Sequence, residues 1–229
     1  MVTTESIDVR VAERHLLTHP FYQAWTAGTL PREALVDYVR QYYAFESRLP
    51  GLLRSLAERA DAAAAEALLA NASDEEDGAH PELWLRFGEA LGLERGQIVS
   101  ALPNATTQAL VDTYVEAAER APALGGVAAI YAYESQLPAV AQAKIAGLEA
   151  HYGFGARRDG LAFFEVHRSI DVHHAAAERR ILESAIGDES ASVATQWAER
   201  ALEAWWNFLS GVYPAGEGVT LMSRTASLN

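Results

Sequence analysis

The chain of 229 residues contains no cysteine, and this absence removes a whole group of candidate sites. Disulfides, thiolate zinc sites and cysteine-bound iron–sulfur clusters are all excluded. Any metal ion must be bound by histidine and carboxylate side chains, a set that suits iron or manganese and tolerates zinc. Basic residues are also scarce, since 18 lysines and arginines face 31 aspartates and glutamates. The net charge of −13 argues against nucleic acid as a partner, because its phosphates attract a basic surface.

Long apolar runs are missing as well. No run approaches the roughly 18–20 residues that a membrane-spanning helix requires, so no membrane association is expected. The N-terminal stretch MVTTESIDVRVAERH lacks the basic region and apolar core of a signal peptide. We therefore expect a cytoplasmic protein. Half of the residues are apolar and 21% are charged, which is typical of a soluble globular domain.

Lysine is nearly absent from the sequence. Of the 18 basic residues, 17 are arginine, and Lys144 is the only lysine. A G+C-rich coding sequence would explain the preference for arginine without any functional reason. It would not explain why a single lysine is kept.

The residues that are present follow a helical pattern along almost the whole chain. Apolar residues recur at helical spacing between breaks at proline and glycine, whereas clean β-strand alternation is absent. This pattern predicts an all-α bundle that forms a single domain over residues 1–213. The small and polar residues 214–229 are expected to form a loose C-terminal tail.

Two of the longest predicted helices, 31–58 and 125–148, share a short repeat. The segments YAFESRLP and YAYESQLP match at six of eight positions, and both end in a proline that should kink the helix. Glu46 and Glu134 therefore occupy equivalent local settings. One glutamate from each of two helices is typical of the metal sites of helical carboxylate proteins. For Glu46, an ion pair with one of the arginines is an equally good alternative.

The segment FFEVHRSIDVHH, residues 163–174, combines apolar and polar side chains. His167, Asp171 and His174 are spaced by four and seven residues, so they point to nearly the same side of a helix. The surrounding apolar residues indicate that this side faces the interior. Polar groups buried there need partners. Either a metal ion or a buried hydrogen-bond network would provide them.

A further carboxylate and imidazole lie in the segment SDEEDGAH, residues 73–80. Ser73 and Asp74 are expected to be turn or cap residues. Glu75 with His80 then provides a carboxylate and an imidazole, and the choice between Glu75 and Glu76 stays open. Together with the glutamates of the repeat and the His-Asp-His triplet, these residues favour a site for two metal ions.

Five motifs resemble the CADD/PqqC-like branch of the heme-oxygenase-like fold: HPFYQAWTAGTL, QYYAFESRLP, HPELWLRFGEALGL, YAYESQLP and EVHRSIDVHH. The resemblance covers about residues 15–210. It implies a compact bundle of about seven helices of the TenA/PqqC-like kind. It also implies two metal ions, Fe/Fe or Mn/Fe, with dioxygen and an external reductant as co-substrates. The metal ligands that it implies are Glu75, His80, Glu134, His167, Asp171 and His174.

Within that branch, the motifs are most similar to the para-aminobenzoate synthases, which serve folate biosynthesis. These proteins are thought to build the product from one of their own tyrosines and to take the amine from their own lysine. The matching positions here are Tyr22, Tyr38, Tyr133 and Lys144. The resemblance implies that Tyr22 is the consumed side chain and that Lys144 is the amine donor. Packing in the core is the alternative reading of the three tyrosines.

Other functions are compatible with the same residues. A sister di-metal oxidase would use the same ligands on a free amino acid or a fatty acid. A cofactorless oxidase similar to the pyrroloquinoline quinone synthases would need basic residues for an anionic precursor, which the acidic composition disfavours. A non-enzymatic helical interaction protein is the alternative of another class. The electron donor is left open, and a homodimer is compatible with the sequence.

Overall fold

The computed structural model describes residues 3–77, 79–156, 158–184 and 188–213. These residues form α-helices and two short 3-10 helices, Leu16–Thr18 and Arg158–Leu161, and they contain no strand. The α-helices are α1 (Thr3–Glu13), α2 (Pro20–Ala27), α3 (Arg32–Glu46), α4 (Leu49–Ala57), α5 (Ala62–Asp77), α6 (His80–Ala90), α7 (Arg95–Val99), α8 (Ala105–Glu119), α9 (Ala123–Glu134), α10 (Leu137–His151), α11 (Ala162–Ser184) and α12 (Asp188–Val212).

The expected all-α bundle is confirmed. The helical segments outnumber the seven or so that were expected, because kinks and short connecting helices divide several of them. Buried apolar side chains from Ile7 to Val212 form one continuous core. In the described part of the chain, no helix has both the length and the apolar character needed to cross a membrane. The expected tail, residues 214–229, lies outside the described residues.

Both predicted kinks are present, and each places a glutamate at the end of a helix. Helix α3 ends at Glu46 and α9 ends at Glu134, and α4 and α10 begin three residues later. A proline ring clashes with the helical carbonyl four residues before it, which is the carbonyl of Glu46 for Pro50 and of Glu134 for Pro138. Each proline instead lies in the first turn of the next helix, where its missing N–H costs nothing. The sequence repeat is therefore a structural repeat.

Helix α5 corrects one expectation from the sequence. Ser73 and Asp74 are neither turn nor cap residues, because α5 continues through them to Asp77. The Ser73 hydroxyl donates to the Asp77 carboxylate, 3.3 Å away, so it is not used to cap a backbone N–H. The extra turn places Asn71 and Glu75, four residues apart, on one buried face of α5.

Helix α9 lies at the centre of the bundle. All of its residues from Gly125 to Glu134 are buried. Its first turns pack closely because they carry glycine, and a Cβ at Gly126 would lie 2.8 Å from the backbone carbonyl of Ala117. At the other end of the helix, the Tyr133 ring stacks on Trp205 with centroids 4.2 Å apart. Glu134, the next residue, lies 3.7 Å from His174 of α11, so the end of α9 meets both α12 and α11.

Candidate metal centre

Helix α11 carries a stripe of buried polar side chains. His167, Asp171 and His174 are all buried, and Glu178 extends the stripe by another turn. The spacings of four, three and four residues keep all of them on one face of the helix. Sequence reasoning missed Glu178, although its spacing from His174 continues the same pattern.

Glu75 joins this stripe to the start of α6. Its Oε2 atom lies 2.7 Å from Nδ1 of His80, and its Oε1 atom lies 4.0 Å from Nε2 of His167. Nδ1 of His167 lies 3.0 Å from the Phe163 carbonyl and donates to it, so Nε2 is left facing the cluster. One ligand atom from each of Glu46, Glu75, His80 and His167 lies within 4.8 Å of the others. We call these four residues the first ligand group.

Glu75 also belongs to a second ligand group, formed with Asp171 and His174, whose ligand atoms lie within 4.8 Å of one another. Nδ1 of His174 lies 3.6 Å from Asp171 and 3.7 Å from Glu134, which adds a fourth residue to this group. Nε2 of the same ring lies 3.1 Å from the half-exposed Asp74 carboxylate. Since Glu75 belongs to both groups, it would help to hold an ion in each of them.

The structure also separates Glu75 from Glu76. Glu75 is buried in both ligand groups, whereas Glu76 forms an ion pair with Arg54 at the surface.

Asn71 makes a further contact that the sequence did not reveal. Its side-chain amide donates to both oxygens of Glu134, at 3.1 and 3.0 Å. Its position one helical turn before Glu75 was the available signal.

Several ligand-type atoms in the two groups are buried without a hydrogen-bond partner. They include both carboxylate oxygens of Glu46, Nε2 of His80, Oδ2 of Asp171 and Nδ1 of His174. An unpaired polar group in the interior costs roughly 1–3 kcal/mol, and an unpaired charge costs more. Bound cations would be the partners of these atoms. The donor set, carboxylates with neutral imidazoles, therefore fits a pair of divalent metal ions.

The charges of the cluster lead to the same conclusion. Burial raises the pKa of Glu46, Glu75 and Glu134 to about 8, and neighbouring carboxylates add to the rise. In the described part of the chain, the only buried lysine or arginine is Lys144. Without cations, the cluster would hold protons at neutral pH, and two divalent ions would replace them. The buried carboxylates are Glu46, Glu75, Glu134, Asp171 and Glu178.

Lys144 lies in an aromatic enclosure beside the cluster. Its Nζ atom donates to the Tyr38 hydroxyl, 2.8 Å away. The same atom lies 5.6 Å from the centroid of the Tyr22 ring and 5.2 Å from that of Phe164. Burial lowers the pKa of Lys144 to about 7, against the opposing effect of the Glu46 carboxylate. A large fraction of the amine is therefore neutral at physiological pH.

The three tyrosines singled out from the sequence lie in two hydroxyl pairs, one of which is completed by a fourth tyrosine. The hydroxyls of Tyr22 and Tyr38 are 3.5 Å apart, next to Lys144. The Tyr133 hydroxyl instead lies 2.5 Å from that of Tyr42, which the sequence analysis missed. Tyr42 lies one turn after Tyr38 and one turn before Glu46 on α3, so the spacing was again the available signal. Burial raises the pKa of all four phenols, which keeps them protonated.

The chain matches the TENA/THI-4/PQQC family over residues 7–213. It belongs to that family. A protein of Chlamydia pneumoniae named 4-aminobenzoate synthase is 33% identical over 209 residues, which cover 90% of this chain and 92% of that protein. A Nitrosomonas europaea protein of the same name is 35% identical over 222 residues, covering 91% and 90%. A solved TenA homologue from P. horikoshii OT3 has a TM-score of 0.77 at 17% identity, covering 93% of this chain and 99% of that one. The expected family and fold are confirmed.

In this family member, a cleft between α5 and α11 reaches the second ligand group from the surface. Its volume is about 350 Å³, and Asn71, Asp74, His174 and Glu178 are among the residues that line it. Alanines of both helices form much of its remaining wall. The cleft thus reaches His174 and Glu178, and its lining does not include Lys144 or the tyrosines around it.

Proposed function

We propose that this protein is a 4-aminobenzoate synthase that consumes its own Tyr22 and Lys144 side chains with dioxygen and an external reductant. The name of its relatives supports the product, and their similarity extends over most of both chains. The observation that carries the proposal is the amine of Lys144, buried against Tyr22 and Tyr38 beside two ligand groups. A metal pair, Fe/Fe or Mn/Fe, would be held by Glu75, His80, Glu134, His167, Asp171 and His174.

The product and the tyrosine side chain have closely related skeletons. Each has a benzene ring with one exocyclic carbon and a heteroatom in the para position. Conversion requires cleavage of the Tyr22 Cα–Cβ bond and of the Lys144 Nζ–Cε bond, oxidation of Cβ to a carboxylate, and loss of the phenol oxygen as water when the nitrogen takes its place. The ring and Cβ of Tyr22 would account for the carbon atoms, and Nζ of Lys144 would account for the nitrogen. Because the net change is an oxidation, an oxidant such as dioxygen is needed, and its activation is the chemistry that the metal pair supplies when bound.

The residues around Lys144 are suited to this transfer. With a pKa near 7, Nζ carries a free electron pair in much of the population, as a nucleophile must. The Tyr38 hydroxyl, which accepts a hydrogen bond from Nζ, would hold the amine in place beside the Tyr22 ring. The rings of Tyr22, Tyr42 and Phe164 exclude water from the amine. Arginine could not replace it, because a guanidinium stays charged at every accessible pH.

The single lysine makes a direct test of the nitrogen source feasible. Protein produced with lysine labelled by heavy nitrogen at Nζ carries the label at one position, Lys144. After reaction with metal, reductant and oxygen, we expect labelled 4-aminobenzoate and a matching loss of mass from the intact chain. Unlabelled product from labelled protein would overturn the assignment of Lys144.

Two substitutions complete the test. Lys144→Arg and the neutral Lys144→Met should both bind metal and fold as the parent does, yet neither should form 4-aminobenzoate. Circular dichroism and metal analysis are the controls for folding and for the metal centre. If either variant keeps full activity, the self-consuming reaction is wrong. A sister oxidase that acts on a diffusible substrate would then be the better account.

A further inference from the structure

Glu46 is a buried carboxylate that has no evident structural role. Its side chain is 0% exposed, and neither of its oxygens has a hydrogen-bond partner. No ion pair in the described part of the chain includes it, which removes the arginine partner considered from the sequence. A carboxylate in such a position is unfavourable for folding unless something else binds it.

Atoms of the types that bind metal ions lie close to Glu46. A carboxylate oxygen of Glu46 lies within 4.8 Å of one oxygen of Glu75 and one nitrogen each of His80 and His167. Nε2 of His80 is also buried without a partner. Two independent groups, one acidic and one imidazole, are therefore left unsatisfied in the same small volume. A divalent cation between them would satisfy both.

The repeat of the two helix kinks supports the same role. Glu134, at the end of α9, lies 3.7 Å from His174 in the second ligand group. Glu46 ends α3 at the equivalent position of the repeat and belongs to the first ligand group. Each kink thus brings one glutamate to one group, and Glu75 is shared between the two groups.

We propose that Glu46 is a ligand of the ion bound by His80 and His167, as the counterpart of Glu134 at the other ion. The inference rests on the metal pair of the proposed function and adds a ligand to it. Each ion would then have three residues of its own together with the shared Glu75. The first would have two imidazoles and a carboxylate, and the second would have one imidazole and two carboxylates.

The rival explanation is a protonated Glu46 that acts only as a core side chain. Burial and the Glu75 carboxylate raise the pKa of Glu46, whereas His80, the nearby Tyr42 hydroxyl and the Lys144 amine lower it by less. The two explanations differ in what the isosteric amide would do. A glutamine preserves the volume and needs no proton, so it should serve a core position at least as well, whereas it is a poor ligand for a hard cation.

The test uses the full chain, stripped of metal and titrated anaerobically with Mn(II). The parent should bind two ions. Glu46→Gln should bind one ion as the parent does and the other at least about 10-fold more weakly, the size of effect seen even for residues that only support a ligand. An anomalous difference map of Glu46→Gln at limiting Mn(II) should lack the peak beside His80 and His167. Glu134→Gln should lose the other peak.

Thermal unfolding provides a second readout that does not depend on activity. Without metal, Glu46→Gln should unfold at the same temperature as the parent or a higher one, and the rise caused by Mn(II) should be smaller. Gln41→Leu is the control on the same helix, since Gln41 bonds Thr107 and the Leu102 carbonyl away from the cluster. It should lose stability yet bind two ions.

The outcomes separate the two proposals. Two ions bound by Glu46→Gln with unchanged affinity would overturn the role of Glu46 and leave the metal pair standing. A metal-free Glu46→Gln that is at least as stable as the parent, with its Mn(II) response intact, would assign Glu46 to the core. A parent that binds no ion would overturn the metal pair and the role of Glu46 together.

Discussion

In the metal-free protein, replacing Glu75 by glutamine should raise the free energy of unfolding relative to the parent, and this advantage should grow as the pH rises. Burial, with a contribution from Asp171, raises the pKa of Glu75 from 4.5 to about 8. Below pH 4.5 the carboxyl is protonated in both the folded and the unfolded chain, so it has no effect on the pH dependence of stability. Between pH 4.5 and about pH 8, the unfolded chain releases the proton of Glu75 and the folded chain retains it. The free energy of unfolding therefore falls as the pH increases.

The size of this effect follows from the two pKa values. The loss amounts to about 1.4 kcal/mol for each pH unit, and it reaches about 5 kcal/mol at pH 8 and above. Domains of this kind have total stabilities of about 5–15 kcal/mol, so the effect is large. Glu75→Gln removes the titrating group while it keeps the shape. The difference in free energy of unfolding between variant and parent should increase steadily from pH 5 to pH 8. Its upper limit is about 5 kcal/mol, because the other buried carboxyl groups interact with Glu75 and their pKa values also change when it is replaced.

The assay is urea unfolding of parent and variant, both treated with a chelator, at several values between pH 5 and pH 8. The quantity of interest is the difference between their free energies of unfolding. Other titrating groups, such as Lys144, are common to both chains and largely cancel. With saturating Mn(II), the parent should instead be more stable than Glu75→Gln, since the carboxylate then binds the ions and the amide cannot. A difference that stays constant with pH in the chelated proteins would refute the reasoning.

Two further predictions concern the ligands and the packing. His174→Ala should keep the helical circular dichroism signal and lower metal content, with an affinity loss of at least about 10-fold, because its ring contacts Asp171 and Glu134; unchanged metal content would contradict its placement. Gly126→Ala should lower the free energy of unfolding by about 1–3 kcal/mol, because its Cβ would lie 2.8 Å from a backbone carbonyl that cannot easily move. Gly51→Ala is the matched control, with no atom within 4 Å of its Cβ, and should raise stability by about 0.5–1 kcal/mol.

Local patterns in the sequence were sufficient for the helical class and for parts of the site. Helical periodicity depends only on neighbours along the chain, so the shared face of His167, Asp171 and His174 follows directly from their spacing. The kinks that follow Glu46 and Glu134 were predictable for the same reason, since a proline acts on the carbonyl four residues before it. The same spacing also extends to Glu178, Asn71 and Tyr42, which were overlooked because each belongs to a residue type common on helices.

Other features depended on how the helices pack, which spacing along one helix cannot determine. The sequence was compatible with either Glu75 or Glu76 at the site, and only the contact of α5 with α11 brings Glu75 to His167. Ser73 and Asp74 have a local preference for turns, but packing against the bundle extended α5 through them. The sequence was also compatible with an ion pair between Glu46 and an arginine, but the position of α3 places Glu46 near Glu75, His80 and His167 instead. The amino-acid sequence by itself determined which side chains share a helix face. The tertiary structure decided which faces meet, because the carboxylates, imidazoles and lysine amine of this site come from helices that are far apart in the chain.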